Sequence, residues 1–584
     1  MPSRARARAG KPPGRRPASP APARAANLSP ARERALVAVL IAIHVALVVW
    51  GIASNSVTFD ENFHLPAGVA IVTRHDFSVS LAQPPLVKSL CAMAALAAGA
   101  HAPVANPRPA NAEYGAGAEF EQLNADRYTR VYDAARLVIA ALSVLLALIV
   151  WRWSRHLYGA RGALLSLAAY AFAPEAIAHA GIVGMDLATA LGTTAALYAF
   201  WRFARFGEWR WWLLTALATG ATLLTRFSAV QLAPAMLILA GFGTATHRMR
   251  RPGRVWIGLA LIPLTSLVLL NAGYLGQTSF DPLSHWQFRS AVFQSLQRSL
   301  PGLRVPIPDD CLLGLDYLSS LQAEGITTTY LFGRITHTTY WYYVPFALLI
   351  KWPVGFLGLI AARLGFTAMA PAGPRRSWHD LFLWIPAVTF LLIAMFVAHL
   401  DVGIRYVLPA LPLLCVWIGG LATLRIAPAR RPVFARFRVA ALLLIALAAA
   451  ECVASAPYEL SFFNRLAGSH PDRLINDSNV DWGQGLIALR SDMKRLGIRR
   501  LYLAYHGTTD PLVYGIDYIP YTGGMPGTGS DWFAVSSFYF VGLAQRMVVP
   551  KGRTLELVHF DFHALWDQQP IARPARCMYL FRLR

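Results

Sequence analysis

Residues 36–53 form the first of many long apolar segments in this chain, and their sequence is LVAVLIAIHVALVVWGIA. A helix that crosses a bilayer needs about 20 mostly apolar residues, and this segment is longer than most signal-peptide cores. Hydrophobic residues make up 55% of all 584 residues, a share typical of membrane proteins. We therefore predict a polytopic α-helical membrane protein with about eleven transmembrane helices.

The remaining apolar segments divide the chain into a membrane region and two flanking regions. They comprise residues 134–151, 163–180, 187–203, 211–226, 228–244, 255–273, 343–362, 380–399, 404–424 and 438–456. Residues 1–35 are rich in Arg, Pro and Ala without apolar periodicity, which predicts a disordered basic tail. Residues 36–456 then form the transmembrane domain.

Arginine-rich loops indicate the orientation of the predicted helices. The net charge is +23, and Arg residues cluster in the tail and near residues 152–161, 202–210, 248–254, 363–376 and 425–438. Because translocation disfavours Lys and Arg, these loops and the tail should be cytoplasmic. We therefore interpret the positive charge as a sign of topology rather than of nucleic-acid binding. Loops 54–133 and 274–342, the turns at 186 and 401–405, and everything after 456 then lie on the non-cytoplasmic side.

The regions on the non-cytoplasmic side have their own predicted structure. In the first outer loop, residues 65–72 and 86–98 are too short to span and are predicted to be interfacial helices at the rim of a lipid-facing groove. Residues 457–584 contain short strand patterns at 501–505, 533–536 and 555–558, and a helical pattern at 486–496. We predict a small soluble α/β domain there.

Several classes of site have no support in the sequence. The five cysteines show no spacing typical of a zinc site or a disulfide framework. A phosphate-binding GxxxxGK[ST] loop, an HExxH motif and a GxSxG motif are all absent from the sequence. Nucleotide hydrolysis, zinc proteolysis and serine hydrolysis are therefore not indicated.

Adjacent carboxylates follow the first apolar segment, at Asp60 and Glu61, and a Pro-Pro segment with Lys88 comes shortly after. Such a group can deprotonate a hydroxyl beside a bound phosphate. An alternative role for Glu61 is a capping box with Thr58, which would serve only the helix start. Asp60 is the stronger candidate, because a cap needs only one of the two acids.

Of three further charged residues, Asp186 and Arg405 lie at the outer ends of predicted spans and Lys88 lies in the first outer loop. Asp186 either faces a polar cavity or caps the helix that follows it. Lys88 and Arg405 are candidate phosphate ligands, the Lys as a point charge and the Arg as a bidentate fork. The alternatives are a loop lysine without a partner and a snorkelling anchor.

Two weaker candidates involve rings. His64 follows Asp60 by four residues, so the two can share a helix face for hydrogen bonding or metal ligation. Trp482 lies in the polar run 474–485 and can stack on a sugar, although a solvated turn explains that run equally well. These assignments remain open at the level of the sequence.

In their order, these motifs resemble the bacterial lipid-carrier-dependent glycosyltransferases of the protein-mannosyltransferase and aminoarabinose-transferase type, which have the GT-C fold. The resemblance extends over most of the chain, although no single motif is specific. The motifs are Asp60-Glu61, the Pro-Pro segment to Lys88, Asp186, Leu224-Thr225-Arg226, Tyr340-Trp341-Tyr342-Tyr343-Val344-Pro345, Lys351-Trp352-Pro353, Gly403 to Pro409, Phe462-Phe463-Asn464 and Asp477 to Gln484.

The resemblance implies transfer of a sugar from a polyprenyl-phosphate donor, with inversion, on the periplasmic side of a bacterial inner membrane. It implies Asp60 as the base, Glu61 and Asp186 as orienting acids, and Lys88 and Arg405 at the leaving phosphate. The acceptor would be a lipid, polysaccharide or protein of the cell envelope.

One position departs from the family pattern. The family often has His or Glu before the Pro-Pro segment, whereas this chain has Gln83, a poorer ligand for a divalent metal. We therefore predict no metal and treat Gln83 as a candidate acceptor or sugar contact. Two other functions remain as alternatives: a transporter or lipid flippase with an outward-facing acidic site, and a scaffold whose C-terminal domain binds glycans.

Overall fold

A computed structural model describes residues 28–104, 112–323, 328–369, 374–398, 401–423, 431–523, 529–548, 555–558 and 560–583. Most of the predicted disordered tail lies outside these residues. Its last part is helical, because α1 (Pro30–Ser54) starts earlier than the apolar run. Ser29 caps this helix by accepting a hydrogen bond from the Arg32 amide, and Pro30 suits the first helical position.

Helices dominate the region that was predicted to be membrane-embedded. After α1, they are α2 (Glu61–Arg74), α3 (Pro85–Ala97), α4 (Ala112–Leu123), α5 (Tyr128–Ala171), α6 (Pro174–Ala180), α7 (Met185–Phe206), α8 (Trp209–Leu223), α9 (Leu232–Ala245), α10 (Pro252–Gly273), α11 (Ala291–Ser299), α12 (Asp309–Ala323), α13 (Tyr343–Lys351), α14 (Val354–Met369), α15 (Pro374–Phe396), α16 (Ala410–Ile418) and α17 (Arg431–Ser455). Each predicted apolar segment coincides with a helix.

Breaks within the helices change the predicted list of spans. Helix α5 combines two predicted segments and is interrupted at Gly159, whose φ of 76° suits glycine. The segment 163–180 was wrong at its end, because Pro174 starts the separate helix α6, which meets α7 at 115°. Within the described residues, five helices are long and apolar enough to span, or seven if each bent pair is one span. Three shorter apolar helices accompany them.

The first outer loop is more deeply packed than predicted. Helices α2 and α3 form where interfacial helices were expected, but most residues of α2 are buried. Gly68 allows this packing, since a Cβ atom there would collide with the backbone carbonyl of Lys88 in α3. Helix α2 is therefore part of the protein core rather than a rim that faces lipid.

The C-terminal region contains the predicted α/β domain. Its helices are α18 (Leu486–Leu496) and α19 (Ser537–Phe540), and its strands are β3 (Leu501–Ala504), β4 (Tyr518–Pro520), β5 (Trp532–Ser536), β6 (Gln545–Val548), β7 (Leu555–Val558) and β8 (Met578–Arg582), after the β1 (Thr329–Leu331) and β2 (Arg334–Thr336) hairpin of the second outer loop. The main sheet has the order β4-β3-β5-β8, with β8 antiparallel to β5. The predicted strands and helix are confirmed.

Candidate functional site

Two acid–arginine pairs meet at the ends of α2, α7 and the loop before α16. The Arg405 Nη1 atom donates to Asp60 Oδ2 at 2.8 Å, and Arg226 pairs with Asp186. Both guanidinium groups lie over the ring of Tyr406, Arg226 at 4.6 Å and Arg405 at 5.3 Å from its centre. The structure thus brings predicted residues from three distant parts of the chain to one place.

A small cavity lies between the two arginines and the membrane helices. Its lining includes Asp186, Arg226, Arg405, Tyr406 and Thr189. Of the four paired charges, Asp60 is the most accessible, with 27% of its side chain exposed, whereas Asp186 has only 5% exposed. A ligand that enters from outside would therefore reach Asp60 first.

His64 lies between the predicted acids and cations. Burial lowers its pKa to about 4; Asp60 and Asp186 act to raise it, while Lys88 and Arg405 act to lower it. The ring is therefore neutral at neutral pH. Within the described residues, its buried Nδ1 atom makes no hydrogen bond.

Glu61 points away from the cavity, into the protein. Its side chain is completely buried and receives two bonds from Arg136, at 2.7 and 2.8 Å, and one from the Val183 amide at 2.8 Å. Burial would raise the pKa of Glu61, but Arg136 and these bonds lower it. The Thr58 amide and hydroxyl also donate to Glu61, as in half of a capping box. Glu61 is therefore placed to join three elements, not to meet a substrate.

Lys88 is buried, interacts electrostatically with His64 and does not line the cavity. Its ammonium donates to the Ser80 carbonyl at 2.7 Å. Burial lowers its pKa to about 7, while nearby Glu113 and Asp310 act to raise it. Burial also raises the pKa of Glu113, which interacts with Ser80, Lys88 and Asp60. Lys88 thus belongs to a second charged group beside the first.

The indole ring of Trp482 packs against the guanidinium group of Arg405. The Arg405 guanidinium lies 4.2 Å from the centre of the indole, and only 4% of Trp482 is exposed. The ring also meets His179 edge-on, with ring centres 6.2 Å apart, and contact with a sugar remains a prediction. The solvated-turn interpretation of residues 474–485 is wrong, because Asn479, Asp481 and Gln484 are all buried.

The run 474–485 holds the loop that carries Arg405. Asn479 accepts a bond from the Ile404 amide at 3.1 Å, and Ser478 donates to the Val402 carbonyl at 2.7 Å. Gly403 fits against Ser478, whose Oγ would lie 2.5 Å from an added Cβ. The C-terminal region therefore completes the part of the site that contains Arg405.

Gln83 lies in the loop before α3, and its Oε1 atom has no hydrogen-bond partner among the described residues. A substrate contact by Gln83 remains a prediction. Across the described ranges, no group of three or more His, Cys, Asp or Glu side chains converges as a metal site would require. The charged groups of the site are the two acid–arginine pairs, with Lys88 and Glu113 beside them.

The sequence argument left three charged residues of this region without a role. Arg226 and Asp477 stand in quoted motifs, and their positions beside Asp186 and Arg405 were not evident from spacing. Burial raises the pKa of Asp477 to about 6, and both Arg405 and Asp60 act on it. Glu113 belongs to none of the quoted motifs, and the sequence shows only that it is an acidic residue in the loop 54–133.

Residues 130–270 match the family model for dolichyl-phosphate-mannose-protein mannosyltransferases. The match confirms the resemblance found in the sequence. The matched range contains Asp186 and Arg226, one of the two pairs over Tyr406. The predictions of a multi-pass membrane protein and of glycosyl transfer from a lipid-linked donor are also confirmed.

Comparison with solved structures finds chains with a similar backbone arrangement. ArnT from Cupriavidus metallidurans, bound to undecaprenyl phosphate, is 12% identical with a TM-score of 0.46, covering 94% of this chain and 97% of that chain. Archaeal oligosaccharyltransferase AglB from Archaeoglobus fulgidus, in complex with an inhibitory peptide and a dolichol-phosphate, is 12% identical with a TM-score of 0.47, covering 94% and 76%. No curated protein matches the sequence significantly.

Proposed function

We propose that this protein transfers a sugar from a polyprenyl-phosphate carrier to an envelope acceptor at the outer face of the bacterial inner membrane. The observation that carries the proposal is the convergence of the Asp60–Arg405 and Asp186–Arg226 pairs over Tyr406, beside a cavity between helices. Two arginine forks around one cavity suit a phosphate. The carboxylates neutralise them until a donor binds.

The chemistry of transfer fits this placement of charges. An acceptor hydroxyl attacks the anomeric carbon, its proton passes to a base, and the bond from that carbon to the phosphate oxygen breaks. The electron pair leaves with the polyprenyl phosphate, which therefore gains negative charge. Arg226 and Arg405 stabilise this charge more strongly in the transition state than in the bound donor, and that difference accelerates the reaction.

We assign Asp60 as the base because it is the more exposed acid of the two pairs. A donor phosphate that takes over Arg405 would release Asp60 from its ion pair, and inversion follows if Asp60 acts on the face opposite the phosphate. Asp186 orients Arg226, and Glu61 acts through Arg136 to position the start of α2. Lys88 adds positive charge near His64.

The arginine pattern of the loops supports an outer location for the site. The tail, the loop at 152–161 and the loop at 202–210 would be cytoplasmic, and residues 457–584 periplasmic. The sugar is a hexose or a pentose, and the acceptor is a lipid, polysaccharide or protein.

Mass spectrometry of envelope lipids and glycoproteins, from cells with and without the protein, tests the proposal. A glycan modification should disappear without the protein and return with the wild-type gene. It should fail to return with Asp60→Asn, although the variant is inserted. Transport of a lipid-linked sugar across vesicles without any glycosylated product would instead support the flippase alternative and refute the transferase.

A further inference from the structure

Helix α11, in the second outer loop, exposes an apolar stripe. None of its residues is buried. Val292 and Leu296 lie four residues apart on one side of the helix, and Leu300 follows as the residue that caps its C-terminal end. Their exposed fractions are 70%, 39% and 50%. A helix surrounded by water would present polar residues at these positions.

The opposite contacts of α11 prevent the stripe from turning inward. The Gln297 side chain donates to the carbonyls of Leu283 and Trp286, at 2.6 and 2.7 Å. Phe293 packs on Phe288 with ring centres 5.3 Å apart. These bonds fix the rotation of the helix, so the apolar stripe stays outside in the folded protein.

The surroundings of α11 indicate what covers the stripe. Helix α10, a candidate span, ends at Gly273 a short distance before α11, so this loop begins at the membrane surface. Phe280 and Leu303 are also exposed nearby, and Arg304 binds the Phe280 carbonyl at 2.6 Å. Arg298 is exposed on the polar side of α11. An apolar stripe flanked by arginines is typical of a helix that lies in a bilayer interface.

We propose that α11 lies in the membrane leaflet where α10 ends, with its stripe among the acyl chains and Arg298 and Arg304 at anionic headgroups. This role differs from that expected for the first outer loop, whose helix α2 is buried. Helix α11 packs on α12, and Gly314 of α12 abuts the Leu81 carbonyl in the loop before Lys88. Lipid contact at α11 thereby stabilises the position of α12 and of the loop that precedes Lys88.

Site-directed fluorescence in the full-length protein tests the inference. A polarity-sensitive dye is attached to Leu296→Cys, and to Ser295→Cys as the matched control on the polar side. The native cysteines are all buried, so they should not compete for the dye. In nanodiscs, phospholipids with brominated chains should reduce the fluorescence at position 296, and aqueous iodide should reduce it at position 295.

Two outcomes would overturn the proposal. Iodide quenching at position 296 as strong as at position 295 would show that the stripe faces water. Protection of position 296 from both quenchers would show that another protein surface covers it. A second measurement concerns the charges. Bromine quenching at position 296 should increase when the nanodiscs contain anionic lipid. Arg298→Gln combined with Arg304→Gln should abolish this increase.

Discussion

At the scale of single residues, the site is defined by which acids are accessible and which are satisfied. Asp60 pairs with one arginine and remains 27% exposed, whereas Glu61 next to it is buried with every contact inside the protein. The two adjacent acids therefore have different roles. Substitutions that keep the shape of each side chain separate those roles.

Replacing Asp60 with Asn should abolish most transfer, because an amide cannot accept the proton of the acceptor. We expect a fall in kcat of about 10² to 10⁴, measured with reconstituted protein and isolated donor. The control is Asp126→Asn, whose carboxylate is 68% exposed and far along the loop. Parent activity in Asp60→Asn would refute its assignment as the base.

Arg226→Lys and Arg405→Lys should each weaken donor binding, because an ammonium group cannot form the two parallel hydrogen bonds of a guanidinium group. Charged hydrogen bonds contribute about 1.5 to 3 kcal/mol, so we expect the donor KM to rise by about 10- to 100-fold. Arg210→Lys, whose side chain is 72% exposed, provides the control. An unchanged KM in both variants would exclude the cavity as the phosphate site.

The pKa of Lys88 near 7 predicts a pH dependence. Deprotonation removes a positive charge, so affinity for an anionic donor should fall as the pH rises from about 6 to about 8. Lys88→Arg keeps its charge over this range and should flatten the profile of KM against pH. Lys494→Arg, at an exposed position, should follow the parent. Parallel profiles for the parent and Lys88→Arg would show that Lys88 does not contribute.

At the scale of elements, the loop before α16 depends on the outer domain. Gly403→Ala should disturb it, because the new methyl group would meet the Ser478 hydroxyl at 2.5 Å. We expect a loss of about 1 to 3 kcal/mol in the free energy of unfolding, together with reduced activity. Ser478→Ala makes room for the methyl group, so the double variant should recover part of both losses in thermal unfolding and transfer assays.

The Glu61–Arg136 pair joins α2 and α5 and is expected to be structural. Arg136→Met leaves a buried carboxylate without its cation, which should cost about 3 to 5 kcal/mol of stability. Adding Glu61→Gln removes the stranded charge, so the double variant should be more stable than Arg136→Met alone. A lower melting temperature in the double variant would contradict this interpretation.

At the scale of the whole molecule, orientation is the next property to test. The distribution of arginines predicts that both Arg584 and the site face the periplasm, with Gly207 in the cytoplasm. Alkaline phosphatase fused after Arg584 should be active, since the enzyme matures only outside the cytoplasm. The same enzyme inserted after Gly207 should be inactive, and the reverse pattern would invalidate the proposed face of the membrane.

The sequence was sufficient for the elements and for part of the site. Apolar periodicity located the helices and the strands of the outer domain because it is a local property. Partnerships are not local: Glu61 turns inward toward Arg136, 75 positions away, and Asp186 binds Arg226, 40 positions away. The stacking of Trp482 on Arg405 could not be predicted either, since the sequence does not distinguish a tryptophan that packs on an arginine from one that contacts a sugar.

The contacts between the first outer loop and the run 474–485 also have a consequence for biosynthesis. The Phe59 amide donates to the Trp482 carbonyl, and the Ser56 hydroxyl donates to the Gly483 carbonyl, each at 2.8 Å. These partners are separated by more than 400 positions, as in the Ser56–Gly483 separation of 427. A nascent chain cannot form these contacts until residues 482 and 483 have been translated. Products truncated before residue 482 should therefore insert into the bilayer without consuming the lipid-linked sugar donor.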